Sequence, residues 1–146
     1  MRLVPLYSCT FAPTEHWRVA LRGDGGVEEQ GFLLVEGRSQ GRIMARLRAA
    51  NYPRKRTDGT VTPDFRGVLE TDDGATVVFE WHGYGRTPDD GSRPLLGSIT
   101  HLSDDERYAW LNDTLCVLTG DVRPQPEGGF IVVIEVSELV WEPING

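Results

Sequence analysis

Between Asp64 and Gly85 the chain reads DFRGVLETDDGATVVFEWHGYG, and no other stretch so limits how the protein can fold. Asp72-Asp73-Gly74 suits a three-residue hairpin loop with glycine in the left-handed position. Thr71 then faces Ala75, and the rest of the register follows. Side chains alternate with period two along a strand. One face of the hairpin is therefore Phe65, Gly67, Leu69, Val77, Phe79 and Trp81. The other pairs Glu70 with Thr76, Val68 with Val78, Arg66 with Glu80, and Asp64 with His82. A slip of one residue would exchange both faces at once, so the register is well specified.

Which face lies inside is open at this stage. Burying charge is expensive, and exposed cross-strand ion pairs contribute only about 0–1 kcal/mol each. On that ground Phe65, Leu69, Val77, Phe79 and Trp81 form core and the charged pairs decorate the surface. The alternative puts Asp64, Arg66, Glu80 and His82 in a barrel mouth. There they would shift one another's pKa and supply an acid, a base and an anion clamp. These four are the candidate catalytic residues.

The rest of the chain reads as short strands and turns. Seventeen glycines and nine prolines in 146 residues imply many turns and disfavour long helices. Residues 2–11 form a first strand, with a second suggested at Glu15–Val19. Gly23–Gly26 is a loop, Gly31–Glu36 a strand and Gly37–Gly41 a turn. Residues 42–50, RIMARLRAA, satisfy helical and strand periodicity alike, and strand neighbours favour strand. Asn51–Gly59 and Thr87–Pro94 are polar loops. Residues 95–102, 114–119 and 130–141 are strands. Ser103-Asp104-Asp105-Glu106 has the pattern of a capping box and predicts a short helical segment near 104–111, ended by Asn112 in the left-handed conformation. The expectation is one all-β domain over residues 1–146, an antiparallel barrel of about eight or nine strands, since closure removes exposed edges.

Charge and composition exclude several classes. A net charge of −7 opposes general binding to nucleic acid or anionic membranes. Cys9 and Cys116 are too few for a disulfide framework, and free buried thiols in a reducing cytoplasm are expected. No targeting segment is visible, and no apolar run is long enough to span a bilayer. His16, His82 and His101 lack metal-ligand spacing. Neither a nucleophile elbow, a P-loop nor a dinucleotide fingerprint is present. No metal and no cofactor are expected. Arg38, Arg42, Arg46, Arg48, Arg54, Lys55 and Arg56 form a basic stretch, read mainly as a solvated face balancing acidic neighbours, with capture of a carboxylate by arginine forks as the alternative.

Asp64-x-Arg66, Thr71-Asp72-Asp73-Gly74-Ala75, Gly83, Tyr108-x-Trp110-Leu111-Asn112 and Gly120 together resemble the domain of unknown function 3237 family, over about Leu3 to Glu135. The resemblance implies a lipocalin-like antiparallel barrel with an internal cavity and no settled activity. One departure stands out: the family usually has an Asp-Trp pair where this chain has Asn51-Tyr52. Asn51 cannot serve as a base, but it can bind a carbonyl or hydroxyl, and Tyr52 can donate a proton. Tyr84, between two glycines, suits a mobile rim. Trp110, between the cap and a strand, suits a plug for one barrel end. Asn51, Tyr52, Tyr84, Trp110 and Asn112 are the candidate ligand-binding residues. The expected function is a small-molecule-binding barrel, a cofactor-independent cyclase, isomerase or lyase of specialised metabolism acting on a largely apolar metabolite, with a non-catalytic carrier as the alternative. The partner is a small organic molecule in the barrel; monomer and homodimer stay open.

Overall fold

The Asp64–Gly85 hairpin forms in the expected register, with Asp64 opposite His82, Arg66 opposite Glu80, and Phe65 opposite Trp81. Gly74 closes its turn at φ +92°, a conformation that side chains on Cα disfavour. In the computed structural model, which describes residues 1–145, this hairpin is one quarter of a closed wall. The strands are β1 (Arg2–Gly23), β2 (Gly26–Gly41), β3 (Ala45–Asn51), β4 (Arg54–Lys55), β5 (Val61–Thr62), β6 (Asp64–Thr71), β7 (Thr76–Gly85), β8 (Pro94–Leu102), β9 (Cys116–Pro124) and β10 (Phe130–Val140). The antiparallel ring runs β1-β10-β9-β8-β7-β6-β3-β2 and returns to β1. The two-residue strands β4 and β5 bridge β2 to β7 at one rim.

Several strands are longer than their local pattern suggested. Gly37–Gly41 is not a turn but the end of β2, paired with Tyr7–Phe11 of β1. The mixed segment 12–30 is a long hairpin arm turning at Gly23–Gly26. Residues 45–51 are strand, with Ala45, Leu47, Ala49 and Asn51 inward and Arg46 and Arg48 outward.

The apolar face of the hairpin is the inside face. Trp81 is 1% exposed and stacks on Phe65, ring centroids 4.2 Å apart. Phe11 meets Phe65 edge-on at 5.6 Å. Together with Leu69, Phe79, Ile99 and Ile134 these rings fill the middle of the barrel, leaving a void of about 10 Å³, too little for a ligand. Gly67 makes this packing fit. A Cβ there would lie 2.5 Å from Ala49 Cβ and 2.8 Å from Phe79 Cζ, so the missing side chain is the space the Phe79 ring occupies.

One end of the barrel is closed by the segment between β8 and β9. The helical element is a 3-10 turn at Ala109–Asp113, later in the chain than expected. Ser103 Oγ accepts the Asp105 N–H at 3.2 Å, as a cap should. The reciprocal bond comes from elsewhere: the Ser103 N–H donates to Asn112 Oδ1 at 2.8 Å, and Asn112 Nδ2 donates to the Ser103 carbonyl at 2.9 Å. Asn112 is not left-handed, since no described non-glycine residue has positive φ. It ends the segment with its side chain instead. Leu111 and Tyr108 are buried beneath this end. No helix among the described residues is long and apolar enough to cross a membrane.

Candidate functional site

The charged face of the hairpin lies outside. Side-chain exposure is 38% for Asp64, 62% for Arg66, 52% for Glu80 and 54% for His82. The alternative that put these four inside the barrel is corrected by the barrel's own volume: the stacked Phe65 and Trp81 already occupy it. The pairs do form, with Arg66 Nη1 at 3.5 Å from Glu80 Oε1 and His82 Nδ1 at 3.4 Å from Asp64 Oδ1. Asp64, His82, Tyr52 and Tyr84 border a shallow, open groove on the outer wall. Tyr52 packs on Phe32, which in turn packs on Trp17. Trp110 sits at the closed end beneath the Arg42 guanidinium, 4.2 Å from the ring centroid.

A second space, half open to solvent, lies at the other end. There the barrel opens into a cavity of about 440 Å³, within the usual range for a small-molecule site, roughly 300–1,000 Å³. Its floor is the upper surface of the aromatic core, Phe11 and Phe65, extended by Leu33, Val35 and Val132. Asn51 is the one candidate ligand-binding residue that lines it. Its Oδ1 accepts the Asp64 N–H at 3.0 Å, which fixes the amide plane at the junction of β3 and β6.

A β-bulge supplies the rest of the wall. Before it, Cys9 and Phe11 of β1 point inward. The pairing with β2 slips between Pro13 and Glu15, and an extra residue in one strand moves the following side chains to the opposite face. After the slip His16 and Arg18 line the cavity, while Trp17 packs outside on Phe32. Arg18 Nη1 lies 3.4 Å from Glu29 Oε2 across the hairpin arm. Lys55 arrives on the β4 bridge, and Arg86 and Arg93 stand at the two ends of the β7–β8 loop. That loop is tied at both ends: the Arg86 N–H donates to the Pro94 carbonyl, and the Val122 N–H donates to the Arg93 carbonyl.

The family model for DUF3237, proteins of unknown function, matches residues 1–139. The chain belongs to the DUF3237 family. No curated protein matches the sequence. Among solved structures it is similar to a β-barrel-like protein from Acinetobacter baumannii AYE, with a TM-score of 0.80 and 20% identity over 95% of this chain and 96% of that one. A protein of unknown function from Clostridium acetobutylicum ATCC 824 also superposes at 0.80, with 16% identity over 96% and 97%. A protein from Penicillium herquei described as an enzyme superposes at 0.64, with 18% identity over 92% and 93%. At these identities the likeness is one of fold.

In this DUF3237 member a buried polar pair, His101 and Tyr7, lies away from the mouth, near the closed end of β8. His101 is 4% exposed. Its Nε2 shares a hydrogen bond of 2.5 Å with the Tyr7 hydroxyl, and its Nδ1 is buried with no partner among the described residues. Burial pulls the His101 pKa down to about 4, so the ring is neutral at pH 7. Burial likewise pushes the Cys9 thiol up to about 12 and the Cys116 thiol, aided by Glu138, to about 11. Both thiols stay protonated and unreactive at neutral pH.

Proposed function

We propose that this protein binds a small organic molecule in the mouth cavity, and that it acts there as a cofactor-independent enzyme of the cyclase, isomerase or lyase type on a largely apolar metabolite. The observation that carries this reading is the cavity itself: about 440 Å³, with an apolar floor of Phe11, Phe65 and Leu33 and a polar group at its edge. A rigid apolar floor orients a flexible substrate and so removes part of the entropic barrier to a ring closure or rearrangement. His16 is the group that moves a proton, since imidazole both takes and gives protons and the bulge turns this one toward the ligand. The Asn51 amide, held by Asp64, offers Nδ2–H to a developing oxyanion. That one barrel of this shape is described as an enzyme supports catalysis as within the repertoire of the fold. The buried free thiols Cys9 and Cys116 support placing the protein in the cytoplasm.

Two variants test the reading. Native mass spectrometry of the wild-type protein should show a captured small molecule, and Leu33→Trp, which fills the floor, should abolish that capture; undiminished capture by a folded variant would refute the cavity assignment. His16→Gln should keep ligand binding and lose turnover. Binding without turnover in both proteins would establish a carrier instead.

A further inference from the structure

The charge at the mouth is opposite to that of the molecule. The chain carries 15 lysines and arginines against 22 acids, and most of those cations lie within 4.0 Å of a carboxylate. Arg38 meets Asp72, Arg46 meets Glu36, and Arg48 meets Glu70 on the outer wall. Arg54 meets Glu28 and Arg56 meets Asp58 in the loop region. The long basic stretch is thus mostly neutralised where it stands, as a solvated, paired face. Arg42 and Lys55 are the exceptions within it among the described residues, and Arg42 lies over the Trp110 ring at the closed end. Lys55, Arg86 and Arg93 form no ion pair among the described residues, and all three line the mouth. Among the described residues the single acid that lines it, Glu29, is engaged by Arg18.

An acidic protein with carboxylates to spare has left three cations together around an apolar cavity. Like charges held close repel, and the arrangement is relieved when an anion enters. Arginine forks and a lysine ammonium suit a carboxylate. The apolar floor below suits a hydrocarbon or aromatic body. We propose that the ligand of this mouth is an amphipathic organic anion, its carboxylate among Lys55, Arg86 and Arg93 and its apolar body against Phe11, Phe65 and Val132. This rests on the reading of the mouth as the ligand site and adds the ligand's charge and polarity direction.

The test uses two matched pairs of probes, decanoate with 1-decanol and 2-naphthoate with 2-naphthalenemethanol, titrated into the wild-type protein and into a Lys55→Gln/Arg86→Gln/Arg93→Gln variant. All three side chains are exposed, so the variant should unfold at the wild-type urea midpoint. In the wild type at least one carboxylate should bind about tenfold or more tighter than its alcohol, and raising the ionic strength should narrow that gap by screening. In the variant the two should bind alike. Alcohols binding as tightly as carboxylates to the wild type would overturn the anion assignment and leave the cavity reading standing. A preference that survives in the variant would overturn the role of these three cations. Failure of all four probes to bind the folded protein would overturn the cavity reading together with the inference built on it.

Discussion

Lowering the pH from 7 to 4 should cost this barrel stability chiefly through one residue. His101 is buried beside Tyr7, and its pKa falls from an ordinary 6.5 to about 4 because burial penalises the charged ring. Between those values the unfolded chain holds a proton on this residue that the folded chain does not. Stability rises with pH wherever the unfolded state binds more protons. The contribution is therefore complete above pH 6.5, declines as pH falls toward 4, and is exhausted below that. A gap of about 2.5 pH units, at about 1.36 kcal/mol each, amounts to about 3 kcal/mol. That is a large share of the roughly 5–15 kcal/mol that holds a typical domain together. The assay is urea unfolding of the wild type and of His101→Gln at intervals from pH 7.5 to pH 4. Glutamine preserves a polar partner for Tyr7 and cannot titrate. The wild type should lose about 3 kcal/mol more than the variant across that interval, with similar m-values. Parallel profiles would refute the reasoning, since they would mean that the folded barrel accepts the imidazolium as readily as water does.

Five further substitutions probe the wall. Gly67→Val drives a Cβ to 2.5 Å from Ala49 and against the Phe79 ring, and should destabilise the barrel by about 1–3 kcal/mol or more in urea unfolding; a neutral result would mean the core is looser than its contacts imply. Asn51→Leu removes the acceptor of the Asp64 N–H and should cost about 1–3 kcal/mol, while Asn51→Asp, which keeps an acceptor, should cost less; the reverse order would show that the hydrogen bond does not hold the β3–β6 junction. Arg66→Ala and Glu80→Ala remove a solvent-screened pair at 3.5 Å and should each change stability by no more than about 0.5 kcal/mol; a much larger loss would show that the pair is more than decoration.

The hairpin was legible in the sequence because three independent signals agreed on it: alternation, a glycine turn and complementary charges. Its register follows from them residue by residue. Which face lies inside did not follow from the pairing, because both faces are internally consistent; the cost of burying charge decided it, and Phe65 and Trp81 took the interior. The mouth was much less legible. Only Asn51 of the nine candidate residues lines it. His16 and Arg18 were missed because their inward orientation depends on the slip between Pro13 and Glu15, and a bulge does not announce itself in apolar periodicity. Pro13 in a strand-like run was the available signal, since proline within a strand marks an edge or a bulge. Arg86 and Arg93 were out of reach for another reason: they share the mouth with Lys55 because the two-residue strands β4 and β5 lay Lys55 against Val61 and Val61 against Gly85, and such short bridges leave no periodic pattern to read. The helical segment erred in its stop signal, where Asn112 uses its carboxamide and not its backbone.

The ligand enters the mouth and not the outer groove under the proposed function. Amide chemical-shift mapping of the labelled protein with decanoate tests it directly. The largest shifts should fall at Leu33, Asn51, Gly85 and Val132, which line the mouth. Shifts concentrated at Gly83, Tyr84 and Ser98, which line the outer groove, with the mouth unmoved, would contradict it.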